Sequence, residues 1–401
     1  MLHLLLAVST FANLPLVQAQ TRALAVSPDV AIAAGKVAEQ QAVFDQARAA
    51  FGPSLNANYV EGPQGVQEGT IAQRLTTVGA AITLGDLIAY SPAVAQANAN
   101  LRAASFDYAN AQRNERINVI RLYYGALSAN ATLGAREEAL KDAQAQARAA
   151  DLRYRAGDAP HLDVVRAQVA QAQAQAALAT AQADRSNAYA ALEAETGAAE
   201  RDLSAVGEGT PEPAASVPQL TQAVSTALAR RPEIASAQAN VAAEERAVSV
   251  ARRGGLPVFT LSGGYTSGVD SGFKVSGPSA NATLTLPISG AAHARVLAEQ
   301  ARLDQARWQL AKVRRDVTTE VAAAVRTFAA QSAALDAARR ALTQARLELQ
   351  ATQLGYRSGA SSSLDVETAR ATYTQALVDE ISATYAKAQA QATLQLLTES
   401  E

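Results

Sequence analysis

The second half of this 401-residue chain repeats the first at a separation of 202 to 204 residues. The stretch LRYRAGDAPHLDV (Leu152 to Val164) returns as LGYRSGASSSLDV (Leu354 to Val366), and ALAVSPDV (Ala23 to Val30) returns as ALARRPEI (Ala227 to Ile234). Between these anchors Pro53 matches Pro257, Thr83 and Leu84 match Thr285 and Leu286, and Phe106 matches Trp308. A unit this long and irregular, present twice, is not a short-period solenoid. It predicts two copies of one supersecondary unit side by side, neither of which need be stable alone.

Composition limits what those copies can build. The hydrophobic 49% is mostly Ala, with 7 Phe, 1 Trp and 1 Met. So few large apolar side chains cannot fill a deep interior at normal packing density, but Ala lets helices approach closely in a thin layer. A net charge of −2 supplies no basic field for nucleic acid. With no cysteine, disulfides, thiolate metal sites and a lipid-anchored amino-terminal Cys are excluded. Three scattered histidines, His3, His161 and His293, do not make a metal site. No cofactor or metal is expected. Lys36 follows Gly35 without the rest of a phosphate loop, and no nucleophile–base grouping appears, so no enzymatic activity is expected.

The amino terminus, MLHLLLAVSTFA, reads as an apolar secretory signal without the usual basic residues, as if translation began further upstream. Leu16, Gln18 and Ala19 align with Leu220, Gln222 and Ala223 of the second copy, so cleavage is expected after Ala12 rather than after Ala19. The organisation expected is a signal peptide at 1–12, a first structural repeat at 13–200, a linker at 201–217 rich in Gly and Pro, and a second repeat at 218–401.

Within each repeat the hydrophobic period changes several times. Leu16 to Ala50 reads as one Ala-rich helix with Pro28 in its early part, stopped by Gly52-Pro53. Leu55, Ala57 and Tyr59 then alternate with Asn56 and Asn58. After a Gly/Gln-rich loop, Val78, Ala80, Ile82 and Leu84 alternate with Thr77, Gly79, Ala81 and Thr83. In the second copy Phe259, Leu261 and Tyr265 share a face, as do Ala282, Leu284 and Leu286. Such period-two runs of about ten residues predict strands. They fit the wall of a transmembrane β-barrel, and equally an amphipathic hairpin lying on a core.

Ser91-Pro92 is a cap and first-turn pair for a long helix reaching Tyr154, and Ala291 to Leu354 contains neither Gly nor Pro. About 62 helical residues span about 90 Å, which no compact domain needs. Leu303, Leu310, Val317 and Ala324 recur at sevens with Ala306 and Val313 between them, and Leu101, Tyr108 and Leu122 do likewise with Ala104 and Ala111. This is a coiled-coil seam, broken in the first copy by Gly125 and Gly134. At its far end Gly157 and Gly359 suit the left-handed residue that ends a helix. Pro160 and the serines Ser361 to Ser363 suit the start of the next, with Asp163 and Asp365 in its first turn.

Two repeats supply four strands, too few to close a barrel, and an open edge in lipid leaves backbone groups without partners. Closure in a membrane therefore demands several chains. Sequence arithmetic alone permits dimers, trimers or tetramers.

The segments SPDV and RPEIASAQANVAAEERAVSVAR, then LPVFTLSGGY, LTLPISG, INVIRLYYGAL and the paired YRxGxxxxLDV turns resemble the TolC-like outer-membrane efflux proteins over nearly the whole chain. The resemblance implies a mainly α fold with a small β part, in which three copies form one twelve-stranded outer-membrane β-barrel and a periplasmic α-helical barrel. It implies a passive outer-membrane channel of a tripartite efflux pump or type I secretion system, in a diderm bacterium. Expected partners are two further copies of the chain, outer-membrane lipid, a periplasmic adaptor protein and an inner-membrane pump of RND or ABC type. By the same resemblance the hairpin tips form the closed entrance and dock the adaptor, through Gly157, Gly359, Arg155, Arg357, Leu162 and Leu364. Asp163 and Tyr356 correspond to residues that latch the entrance, and Asp365 to an aspartate ringing its narrowest point. The arginine expected after the second tip glycine is replaced by Ser361, with Arg357 or Arg155 as substitutes, and Thr368 stands where a second ring would be. The competing reading is a periplasmic adaptor or coiled-coil scaffold, which usually carries one hairpin between small β-domains.

Overall fold

The structure is a computed structural model that describes residues 15–49, 52–66, 69–197, 219–270, 273–286 and 290–398. The expected signal peptide and linker lie outside these residues. Two compact units emerge, and neither is a sequence repeat: one takes residues 1–31, 110–231 and 316–401, the other 32–109 and 232–315. Each unit draws on both repeats.

Each copy opens on two helices rather than one. Helix α1 (Leu16–Val26) ends at Ser27 and α2 (Pro28–Ala49) begins at once. Pro28 pushes the preceding residue out of helical geometry, and Ser27 sits at φ −58°, ψ 122°. Pro28 then takes the first helical position, where its missing N–H costs nothing. The second copy does the same with α5 (Leu220–Arg230), Arg231 at φ −70°, ψ 131°, and α6 (Pro232–Arg253).

Four strands follow in pairs: β1 (Ser54–Val66) with β2 (Gly69–Thr83), and β3 (Val258–Asp270) with β4 (Phe273–Thr285). They make one antiparallel sheet in the order β1-β2-β3-β4. The strands are longer than their alternation suggested, because most of the Gly/Gln-rich stretch is itself strand. Backbone pairing tolerates glycine where side-chain periodicity has nothing to report.

Long helices leave the sheet and return through shorter ones. Helix α3 (Leu84–Ala156) runs 73 residues and α7 (Ala291–Arg357) runs 67. They are followed by α4 (His161–Thr196) and α8 (Ser363–Thr398). Helix α3 starts before the expected cap, so Pro92 lies inside it. Near the helix start one lost backbone bond is carried by the turns that follow. Gly125 and Gly134 do not interrupt it; nothing lies within 4 Å of where their Cβ atoms would be.

The helical core is thin and rich in Ala. Ala19, Ala23, Val119, Ala126, Leu127, Tyr189 and Leu192 pack into one cluster where α1 lies on α4. On α7 the buried stripe runs Val317, Val321, Val325, Phe328, Leu335. The heptad positions hold to Val317, after which two four-residue steps shift the stripe, as an inserted stutter does in a coiled coil. Among the described residues no helix is long and apolar enough to cross a membrane.

Candidate functional site

Two places carry functional geometry, the sheet in one unit and the helical turns in the other. In the sheet the register aligns every apolar set read from the sequence onto one face. Leu55 pairs with Ala80, Ala57 with Val78, Val78 with Tyr265, Ile82 with Leu261, Leu261 with Ala282, and Phe259 with Leu284. That face is open. Leu55 is 86% exposed, Val78 58%, Tyr265 53% and Leu284 58%. The opposite face carries Thr77, Thr260, Ser262 and Thr266 and is half-buried. There the Thr77 and Thr266 hydroxyls hydrogen-bond at 3.1 Å, and Gln73 Nε2 donates to Asp270 at 3.2 Å.

Over most of its rows the sheet is thus inside out relative to a water-soluble one, with apolar residues exposed on one face and small polar residues on the other, although Val60, Leu75, Val275 and Phe273 share the second face toward the strand turns. Glycine lets the two central strands approach closely on this second face. Gly79 and Gly264 are cross-strand partners, and a Cβ on either would come within 2.8 Å of a backbone oxygen of the neighbouring strand. The apolar band stops at an outward ion pair, Glu61 with Arg74 at 2.8 Å. Tyr59, next to it, donates its hydroxyl to Glu61 at 2.7 Å. An apolar band with a tyrosine at its polar margin is the arrangement of a lipid-facing wall. Among the described residues β1 and β4 each pair on one side only, so the four strands leave two unsatisfied edges.

At the helical turns both expected glycines are left-handed, Gly157 at φ 83° and Gly359 at φ 79°. Their amides donate to Tyr154 and Tyr356 carbonyls at 3.0 and 3.2 Å, closing helices α3 and α7. Beyond this shared frame the two turns part. Ser362 and Asp365 form a capping box on α8. The Asp365 carboxylate accepts from the Ser362 N–H and hydroxyl, both at 2.8 Å, and these bonds hold its pKa below the ordinary carboxylate value. Its repeat-mate Asp163 has no such box, since Pro160 precedes α4. Asp163 instead reaches the other hairpin and accepts from the Ser363 hydroxyl at 2.5 Å, with Arg166 3.8 Å away.

The tyrosines divide in the same way. Tyr154 packs edge-on to His161 in its own turn, with ring centroids 5.1 Å apart. Tyr356 is reached from the first hairpin by Arg153, which donates to its hydroxyl at 3.2 Å and lies over its ring at 5.3 Å. The structure therefore brings Asp163 and Tyr356 each into an inter-hairpin contact, but not with each other. Asp365 stays on its own helix. The cation on Tyr356 is Arg153, which sequence reasoning passed over. Arg155 pairs within its own helix with Asp151 at 2.8 Å. A signal was present: the repeat equivalent of Arg153 is Gly355, so the first turn carries a charge the second lacks. Leu162 and Leu364 are half exposed on the first turns of α4 and α8.

A further polar junction was not anticipated. Ser27, at the α1–α2 break, donates to buried Glu115 at 3.1 Å. Burial, reinforced by a hydrogen bond that the protonated Glu115 carboxyl donates to a second carboxyl, Glu195, pushes the Glu115 pKa up to about 7. The matching break in the second copy holds Arg231, buried and paired with Glu320 at 2.6 Å. Identical backbone breaks are thus held by opposite electrostatics.

With this geometry in view, the comparisons are specific. The chain matches the outer membrane efflux protein family over residues 20–198 and 223–399. Protein CyaE of Bordetella pertussis is 30% identical over 322 residues, covering 74% of this chain and 66% of that protein, so the chain aligns to just under two thirds of this relative's length. Among solved structures, the fold superposes on CusC with a TM-score of 0.82 at 20% identity, covering 97% of this chain and 92% of that one. The outer-membrane channel OprN gives 0.84 at 19%, covering 96% and 89%. The outer membrane protein VceC from Vibrio cholerae gives 0.80 at 20%, covering 96% of both chains. At such identities the structural likeness speaks for the fold, and the match across both repeats decides the family: the chain belongs to the outer membrane efflux proteins.

Proposed function

We propose that three copies of this chain close a twelve-stranded outer-membrane barrel and form a passive export channel. The channel receives substrate from a periplasmic adaptor and an inner-membrane pump of RND or ABC type, as in tripartite efflux or type I secretion. The carrying observation is the inverted sheet: an exposed apolar face, an opposite face rich in small polar residues and, among the described residues, two unpaired edges. A lipid-facing wall that must be completed by further strands accounts for all three. An adaptor or scaffold has no use for such a face.

In this reading the turns at Gly157 and Gly359 are the periplasmic entrance, with Arg155, Arg357, Leu162 and Leu364 offered to the adaptor. Asp163 and Tyr356 tie the two hairpins of a protomer, through Ser363 and Arg153. Asp365 contributes one carboxylate per copy to a cation-favouring ring. The test is purification from outer-membrane extracts followed by planar-bilayer recording. A heat-sensitive trimer with discrete, cation-selective conductance is expected, with selectivity reduced in Asp365→Asn. A detergent-independent soluble monomer without conductance overturns the channel, whereas unchanged selectivity in Asp365→Asn overturns only the ring.

A further inference from the structure

The space between the two helical turns is lined by an excess of guanidinium groups. Arg153 and Arg166 come from the first hairpin, Arg357 and Arg370 from the second, and they face only two lining carboxylates, Asp163 and Glu367. These cations are poorly neutralised where they stand. Arg166 lies 3.8 Å from Asp163, which is already engaged by the Ser363 hydroxyl. Arg370 makes a long contact, 3.4 Å, to Asp142 and has Glu367 near it, and in a side chain only 13% exposed its Nε is buried without an acceptor among the described residues. A guanidinium taken out of water in this way leaves donors that an anion satisfies better than solvent does. Asp163 and Ser363, in the first turns of α4 and α8, line the same space, where the helix dipoles add to the positive potential. Burial also raises the Glu367 pKa despite the neighbouring Arg370, so the one lining carboxylate without an ion-pair contact neutralises the cations least.

We propose that this cleft is a binding site for a small multivalent oxyanion of the phosphate class, held between Arg166 on one hairpin and Arg370 on the other. Arg153 and Arg357 close over it from α3 and α7. Arginine's planar fork suits this ligand, because two parallel N–H donors meet two oxygens of one tetrahedral group. Occupancy joins the two hairpins of one chain through the anion, adding to the Arg153–Tyr356, Asp163–Ser363, Arg166–Ser363 and Arg370–Asp142 contacts between them. The site stands on the cleft alone and does not depend on the channel reading. If the turns are an entrance, a bound anion holds the hairpins together there.

The experiment uses the full-length protein in detergent and inorganic phosphate as the probe, titrated against chloride at constant ionic strength. Thermal melting and phosphorus NMR line broadening report binding. Saturable stabilisation by phosphate and none by chloride is expected, with apparent affinity at least tenfold weaker in Arg166→Gln and in Arg370→Gln. Because Arg370 is part of the packing, Arg357→Gln at the rim serves as a second variant, expected to weaken phosphate while melting like the parent in chloride. Equal stabilisation by chloride, a response that never saturates, or unaltered phosphate affinity in the Arg166 and Arg357 variants overturns the site. Loss of binding in a protein that still conducts leaves the channel untouched, and binding by a protein that does not conduct leaves this site standing.

Discussion

The sheet and the helical core solve the same problem with opposite signs. Around Val119, Leu192 and Phe328, each no more than 2% exposed, large side chains turn inward and Ala lets the helices close over them. On the strands Leu55, Tyr59, Val78, Phe259, Leu261, Tyr265 and Leu284 share an exposed face, and the opposite face of the central strands holds mostly glycine, serine and threonine. The lesson is that hydrophobic periodicity tells which residues share a face but not which side of that face is dry. Burial of one face is a property of the environment, and in the proposed channel the environment of this sheet is lipid and further strands rather than its own chain.

The sharpest way to break the comparison is to truncate a core side chain in the helices. Phe328→Ala should cost about 3–5 kcal/mol in denaturant unfolding, because the Ala-rich surroundings have little to collapse into the cavity. Next, Leu261→Arg on the outward face should destabilise the assembled protein in bilayers by about 2–4 kcal/mol. Ser262→Lys, one residue on and on the opposite face, should leave folding in bilayers nearly unchanged and instead alter conductance. If the two neighbours behave alike, the inverted sheet is wrong.

A smaller effect comes from the Glu115 carboxyl. Its pKa is raised from 4.5 to about 7, so the charged form is the disfavoured one in the folded protein. Below pH 4.5 the group is protonated folded and unfolded and carries no penalty. Between these values stability falls as pH rises, and above about 7 the penalty is complete. Glu115→Gln should therefore raise the melting temperature above pH 7, by a free energy on the order of 1 kcal/mol after allowing for solvent screening, and leave it unchanged near pH 4. The smallest effect is at the second turn. Asp365→Ala removes the cap on α8, and because the carboxylate's pKa is lowered, the loss appears at neutral pH and fades as pH falls toward acid. Melting curves at neutral and acid pH check it.

Much of this was legible in the chain. The duplication, the strand faces, the long helices and the left-handed glycines follow from spacing that needs no partner to be read. The break at Ser27 was missed because Pro28 was treated as an early helical residue, although a residue before proline is held out of the helix. The start of α3 at Leu84 was missed because Ser91-Pro92 carries every local sign of a helix start, and a helix already under way overrode it. At the turns the sequence pointed to Asp163, Tyr356 and Asp365 together, yet their contacts lie apart, with Ser363, Arg153 and Ser362 respectively.

What the sequence by itself determined is the period: which residues are neighbours along a strand or a helix, and that every element occurs twice. Local backbone geometry does that, and it acts over a few residues. Only the tertiary structure decided that Tyr356 meets Arg153, that Ser363 rather than the chain's own turn answers Asp163, and that Glu115 shares its junction with Glu195. Those pairings join residues roughly 80 to 200 positions apart. Two copies with the same fold are free to exchange or keep such partners, because the backbone that holds them is satisfied either way.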